Sequence, residues 1–577
     1  MMRNRLVSLI LTVTILGFFL NDSFSQNVNY LTPEPLSKIV NTSLKPVKSS
    51  SSLKVPLITW GGDVATILAD MDGIFKDQGM NVSLFREDDF KKQVQMCLSG
   101  ETPYIRGTMG MINAASDAFK NSGTELVVIY QLTWSVGGDA MVVRSGKKLN
   151  NMKTVALQLY GPHMDYASNL LEKSGRLNHI DFKWLSQLTI SNLENGKIVD
   201  PVTAFQESSS VDAVMCIIPD ALLLTSNGTI GTGSEGSVKG AKILLSTKTS
   251  SRIIADVYAV RKDYFDANKD KVQRFVKALM ISEEKLSGIM KNKETNQAKY
   301  RQLMSKSADL LLGSSQFTSD AEALLGDCEF VGYNGNKSFF TGVGTTRNFK
   351  NLNKEIQKSF KSLGILTTAT KVQNAGWDYS VFAGVLRNPT TSSKSKQRFD
   401  KKKVAKEVES QIMAEASNWE DDGTIFVVEI YFSPNQSEFS TSKYANDFAK
   451  ALDIAETNSG ALVIIEGHSD PLGILKEKKA LREKKAGYKS KAEIGQMEQR
   501  AKSLSFERAE QVRDNFLKYC KAKGINIDDS QFIAVGIGTH SPKFNPPRTE
   551  DEWAANRRVV FRIKQIEAEL DKFTPLD

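Results

Sequence analysis

Short apolar runs alternate with helical repeats through most of this chain. VPLITW (55–60) and NVSLF (81–85) read as strands. Between them Ile67, Leu68, Met71 and Ile74 recur at helical spacing within 65–78, a helix closed by Gly79. Further strand patterns follow at LVVIY (126–130), DAMVVR (139–144), TVALQLY (154–160), DAVMCII (212–218) and DVYAVR (256–261). Helical repeats separate most of them, as at 165–174 and 269–289, so this part predicts an α/β fold with largely parallel sheets. A second pattern starts at IFVVEIYF (425–432). Tyr444, Phe448 and Leu452 mark a helix capped by Ser440 or Thr441, LVIIEGHSD (462–470) is a strand, and 504–523 is a helix ended by Gly524. FIAVGIG (532–538) and RVVFRI (558–563) complete a β-α-β-α-β-β order.

Three stretches lack this periodicity and set the boundaries. Arg3 and Arg5 precede an apolar run from Leu6 to Leu20, 15 residues long. That is short of the roughly 20 needed to span a bilayer. Ser23 and Ser25 then stand three and one before a cut ahead of Gln26, so 1–25 read as a secretory signal peptide. Residues 26–52, rich in Ser, Asn and Lys, read as a flexible lead-in. Residues 389–419 read as a linker with a short helix at 404–416. Two bodies remain, 53–388 and 420–577, and neither holds a run apolar enough for an integral membrane span in the mature chain.

Charge adds one local feature. Of the net +9, a +6 excess falls in 471–503, where ten Lys or Arg face four Glu. The basicity is therefore not a nucleic-acid footprint along the whole chain. Cys97, Cys216, Cys328 and Cys520 are far apart; Cys97 and Cys216 sit in apolar runs and read as core residues, and any pairing stays open. His163, His179, His468 and His540 lack metal-ligand spacing, so no metal site and no cofactor are expected.

In the C-terminal body five motifs stand in order: FSPNQS (432–437), EGHSDPLG (466–473), LSFERAEQV (504–512), AVGIGTHSP (534–542) and NRRVVF (556–561). Together they resemble the OmpA-like peptidoglycan-binding domain. The resemblance implies an α+β fold and a pocket for the diaminopimelate of the peptide stem, formed here by Asn435, Asp470, Arg508 and, as an addition, Arg557. The residue types suit a carbon bearing both ammonium and carboxylate: Asp470 for the ammonium, Arg508 as a fork for the carboxylate, Asn435 for a neutral hydrogen bond. With Asp470 and Arg508 both directed at ligand, replacing either by alanine is expected to leave the fold intact. The Lys-rich stretch 474–503 departs from the family, whose connection there is much shorter. It reads as a helical, solvated insertion, with attraction to anionic wall polymers or lipid headgroups as its functional alternative.

The N-terminal body carries GIFKDQGMNVSLF (73–85), LSGE (98–101), VGGDAMVVRSG (136–146), MKTVALQLYGPH (152–163), VDAV (211–214), DVYAVRKDYF (256–265), FVGYNGNKSFF (330–340) and AGWDYSVFAGVL (375–386). It resembles the periplasmic substrate-binding proteins of nitrate, sulfonate, taurine and thiamine-precursor importers. That implies a two-lobed α/β fold closing on a small ligand, with lobes at 55–144 plus 250–388 and at 146–248, and an ABC importer permease as partner. Turns after strands supply the candidate ligand residues Trp60, Gly61, Asp63, Thr108, Ser135, Asp139, Tyr160, His163 and Asp220. Trp60 or Tyr160 can stack on a planar group, and the glycines allow close backbone approach. Asp63, Asp139 and Asp220 outweigh the one nearby cation, Arg106, which favours an amine or polyol ligand over a simple oxyanion.

The favoured reading is an exported solute-binding protein held non-covalently on peptidoglycan in the periplasm, serving import or sensing. The alternative is an envelope scaffold whose first body contacts proteins instead of a small ligand. An enzyme is disfavoured, because no GxSxG, HExxH or CxxC element occurs and no nucleophile is paired with a base.

Overall fold

The computed structural model describes residues 27–387, 424–564 and the isolated positions 405, 406, 408 and 410. The signal segment 1–25, the rest of the linker 389–419 and the ends of the C-terminal body lie outside the described residues. Of the helix expected at 404–416, the four described positions are helical. Val408 is buried against Leu462, Ile464, Ile533 and Val535. No described helix is long and apolar enough to cross a membrane.

The chain divides into two compact units. Unit 1 comprises 1–33, 141–159 and 179–243; unit 2 comprises 34–140, 160–178 and 244–577. The segment 160–178 therefore belongs with unit 2 and not, as the strand order suggested, with 146–248. Tyr160 and His163 consequently share a unit with Ser135 and Asp139.

Most of unit 1 is built on a sheet in the order Asp181–Leu185, Thr154–Gln158, Ala213–Ile217, Asp139–Val143, Lys242–Ser246, of whose residues Asp139, Ala140 and 244–246 are counted with unit 2. Its Thr154–Gln158 strand pairs parallel with both neighbours, as the alternating strand-helix pattern predicts. Unit 2 differs. Its main sheet runs Cys328–Phe330, Leu126–Ser135, Ala255–Arg261, Tyr104–Thr108, every successive pair antiparallel. Only the short Val372–Asn374 joins Leu126–Ser135 in parallel. Ala255–Arg261 re-enters unit 2 after the excursion through unit 1, so no local crossover sets its direction; strand-helix alternation fixes sense only for consecutive units. Leu126–Ser135 is buried along all ten residues, with a core of Tyr104, Tyr130, Tyr258 and Phe275 around it.

The lead-in is not loose. Asn29 and Leu31 donate backbone bonds to Ile198 and Trp184 within unit 1, each at 2.8 Å. In unit 2, Lys45 and Lys48 donate to Leu98 and Gly100, also at 2.8 Å. A polar composition hides such pairing, because the bonds use main-chain groups that every residue carries.

The C-terminal body has a sheet ordered Thr424–Tyr431, Arg558–Lys564, Leu462–His468, Phe532–Gly538. The last two strands named are parallel, and Arg558–Lys564 is antiparallel to both its neighbours. Helices Ala445–Thr457 and Lys491–Ala522 cover it, and Phe448, Phe516 and Phe561 stack edge to face at their junction. Two helices add to the expected order. Glu550–Asn556 is nucleated by the Thr549–Glu552 capping box ahead of the last strand. The basic stretch folds as Leu472–Arg482 plus the first turns of Lys491–Ala522, which starts at a Ser490–Glu493 capping box, well before Leu504.

Candidate functional sites

In unit 2 the turn after Leu126–Ser135 gathers a polar cluster. Ser135 Oγ donates to Asp139 Oδ2 at 2.6 Å and lies 3.1 Å from Thr247 Oγ1. Asp139 N donates to Thr247 Oγ1 at 3.1 Å. His163, fully buried at the start of helix His163–Lys173, places Nε2 3.0 Å from Asp139 Oδ1. Its Nδ1 is buried with no hydrogen-bond partner among the described residues. Asp327 and Lys248 complete the charged set: burial, then the charge of Asp139, raise Asp327 to about 6, while Lys248 opposes the rise. Gly137 and Gly138 pack closely against Asp327 and Trp60. A Cβ on Gly137 would sit 2.8 Å from Asp327 Oδ1, and one on Gly138 2.6 Å from the Trp60 ring.

The remaining sequence candidates of unit 2 serve packing and local bonding. Trp60 packs on Gly138 and donates Nε1–H to Thr133 Oγ1 at 3.2 Å. Gly61 is small because Leu324 O approaches to 2.0 Å of where its Cβ would stand. Asp63 is fully buried and bonded at 3.0 Å to Arg106 Nε; Arg106 Nη1 also reaches Asp256 at 3.1 Å. Burial raises the Asp63 carboxyl pKa, with Arg106 pulling against the rise. Asp63 and Arg106 are therefore taken up, with Asp256, in one buried group, and the charges around the 135–139 turn are Asp139 and Asp327 with Lys248. Thr108 Oγ1 donates to Asp165 Oδ1 at 2.9 Å, and Gly110 N donates to Asp165 Oδ2 at 2.8 Å. Asp165 is pushed up to about 7 by burial despite these bonds. Tyr160 adopts a left-handed φ of 62° and donates its hydroxyl to Glu34 O. Asp220 belongs to unit 1, in the first turn of Ile218–Leu224. Thr247, Lys248 and Asp327 escaped the sequence reading because they are far from the 135–139 turn in sequence, and no local motif marks them.

The second candidate lies at one end of the C-terminal sheet. Arg508, on the long helix, is 1% exposed. It donates to Gln436 O at 2.8 Å, His468 O at 3.2 Å and Ser433 O at 3.3 Å, with its guanidinium over the Phe432 ring. Arg557 donates Nε–H to Phe432 O at 3.1 Å. Neither arginine has a carboxylate partner among the described residues. Burial, and then the like charge of Arg557, lower Arg508 to about 10. Asp470 is half-buried and accepts from Asn556 Nδ2 at 3.3 Å. Asn556 itself is fully buried and bonded both ways to the Phe544 backbone. Asn435 is exposed, with a left-handed φ of 56° in the turn after the first strand.

The motifs are thus partly architectural. Gly467 of GHSD lies under the long helix, where a Cβ would come 1.7 Å from Ser505 O. Ser469 Oγ bonds Ala501 O at 2.9 Å. Glu466 is buried in a two-pronged pair with Arg562 at 2.9 and 3.2 Å. Arg508 differs from the expectation of a side chain free for ligand: its removal would leave three backbone carbonyls without this donor, so alanine there is not structurally silent. Asn556 is the residue the sequence reading passed over, although it opens the NRR motif.

No known family matches the chain, and no match is found among curated proteins. Solved structures similar to part of it include a putative periplasmic sulfonate-binding protein of Methylobacillus flagellatus, at 16% identity and TM-score 0.39, covering 59% of this chain and 95% of that one. The periplasmic nitrate-binding protein of Synechocystis matches at 12% identity and TM-score 0.34, over 59% and 91%. A Candida albicans gene product described as having the generic periplasmic binding protein fold matches at 14% and 0.37, over 57% and 99%.

Proposed function

We propose that the chain is an exported solute-binding protein anchored to peptidoglycan through its C-terminal body. The observation that carries the anchoring is the Arg508–Arg557 pair, two guanidiniums without a carboxylate partner among the described residues, at the same end of the sheet as an Asp470 oriented by Asn556. This combination suits a ligand with one ammonium and at least one carboxylate, the free end of diaminopimelate. Carbonyl bonds hold the Arg508 fork in place before ligand arrives, which limits the ordering cost of binding. In unit 2 the Ser135–Asp139–His163–Asp327 cluster, with Lys248 as its cation, supports a small polar solute bearing an amine or several hydroxyls. A partner permease of the ABC importer type accords with that reading.

Sedimentation of the full mature chain with purified diaminopimelate-type peptidoglycan tests the anchor. Asp470→Ala removes the ammonium partner and is expected to lower affinity about 30-fold or more, from a loss of roughly 2–5 kcal/mol. Arg508→Lys keeps a cation but loses the fork, and is expected to weaken binding as well. Unchanged sedimentation of both folded variants would remove the pocket assignment.

A further inference from the structure

The C-terminal body and the polar cluster of unit 2 share two elements. The first is the strap Ser246–Arg252. Its Thr247 is bonded into the cluster: Thr247 N donates to Asp139 O at 2.9 Å, and Thr247 Oγ1 accepts from Asp139 N at 3.1 Å. Within the next five residues the same strap meets the loop that ends helix Ala445–Thr457. Gly460 N donates to Thr249 O at 3.1 Å, Arg252 N to Thr457 O at 3.2 Å, Ser250 Oγ to Asn458 Oδ1 at 2.8 Å, and Ser251 and Ser459 share a hydroxyl bond of 2.7 Å. Ser250, Ser251, Thr457 and Asn458 are all buried. Contact is so close at Gly460 that a Cβ would stand 1.8 Å from Lys248 O.

The second shared element is helix His163–Lys173. His163 at its start bonds Asp139. Lys173 at its end reaches Asp453 and Thr457 at 2.7 Å each. Arg347 lies 3.6 Å from the same Asp453, and Thr346 N donates to Glu456 at 2.7 Å. A buried face of mutually satisfied polar groups has one register, because a shift leaves several of them unpaired at once.

We infer that seating of the 453–460 face and the arrangement of the Ser135–Asp139–His163–Thr247 cluster are linked, so that the wall-binding body acts as a clamp on the solute cluster. The link runs through a strap and a helix that each touch both places. Its physiological meaning rests on the solute reading of that cluster, but the physical coupling does not. By reciprocity, loosening either end must loosen the other by the same factor.

Amide hydrogen exchange on the full mature chain, without any solute, tests it. Gly460→Val or Asp453→Asn should speed exchange of the Asp139 and Thr247 amides at least about five-fold, the lower end of ordinary coupling. Thr247→Val, which removes only the hydroxyl bonds, should speed the Gly460 and Arg252 amides comparably. Amides of Ile464 and Val535 in the C-terminal sheet report whether that body stays folded; where Gly460→Val disturbs them, Asp453→Asn decides. Parent rates at Asp139 and Thr247 in a folded docking-face variant, or parent rates at Gly460 in Thr247→Val, overturn the link. Because no solute is added, a failed solute screen and a failed clamp remain separate results.

Discussion

At the scale of single residues, ionised groups divide into those paired with opposite charge inside the fold and those bonded to neutral groups alone. Glu466 belongs to the first kind. Burial works to raise its carboxyl, yet the His468 ring and the Arg562 guanidinium hold it down to about 2. Its unfolded value is near the ordinary 4.5. A depressed folded value means stability that is fully present above pH 4.5 and lost as the pH falls toward 2, up to about 3 kcal/mol. Thermal unfolding of the parent should therefore soften between pH 5 and 3 more than that of Glu466→Gln, which should already be less stable at pH 7. Parallel pH curves for the two would contradict the assignment. Arg508 and Arg557 are of the second kind: the Arg508 guanidinium ties the Gln436, His468 and Ser433 carbonyls together, and with Arg557 it is a cation whose partners among the described residues are carbonyls and not carboxylates. Their residue types were legible in the ordered motifs. The burial of Arg508 and the part of Asn556 were not, since both depend on loops that only the closed sheet brings together. Asp63 shows the opposite limit: it reads as a free strand-end acid, and the fold spends it on Arg106.

At the scale of elements, the glycines of the C-terminal motifs record helix-on-sheet contact. Gly467→Ala would press a methyl group to 1.7 Å from the Ser505 carbonyl and push the long helix off its strand. A cost of about 1–3 kcal/mol is expected, seen as a drop of several degrees in the calorimetric transition of the C-terminal body; an unshifted transition would contradict the packing. The basic stretch forms a helical hairpin whose lysines meet its own glutamates, as in Lys478–Glu498 at 2.7 Å and Lys485–Glu483 at 3.0 Å. These are exposed pairs of small worth. Strand and helix identity was largely readable from periodicity, including the fully buried Leu126–Ser135 run. Strand direction in the main sheet of unit 2 was not, because its pairings join segments more than a hundred residues apart. The start of the long helix was also missed; the Ser490–Glu493 capping box was the available signal.

At the scale of the whole molecule, the Ser135–Asp139–His163–Asp327 cluster and the Arg508–Arg557 end of the C-terminal sheet both lie within unit 2. In the C-terminal body the five motifs fall on the strands, turns and long helix of one sheet-and-helix unit, because short segments in a fixed order constrain one another. The N-terminal candidate residues were read from turns alone, and turns are also where glycines and acids bond within the fold, as Gly61 and Asp63 do. Anchoring to the wall is the central claim, and its chemistry has a natural control. Diaminopimelate ends in a carbon with both ammonium and carboxylate; lysine at the same stem position keeps the ammonium and lacks the carboxylate that Arg508 and Arg557 would take. The most direct measurement is sedimentation of the full mature chain with diaminopimelate-type and lysine-type peptidoglycan side by side, with free diaminopimelate as competitor. Binding to the first alone, released by the competitor, is the predicted result. Equal binding to both, or binding to neither, would contradict the account.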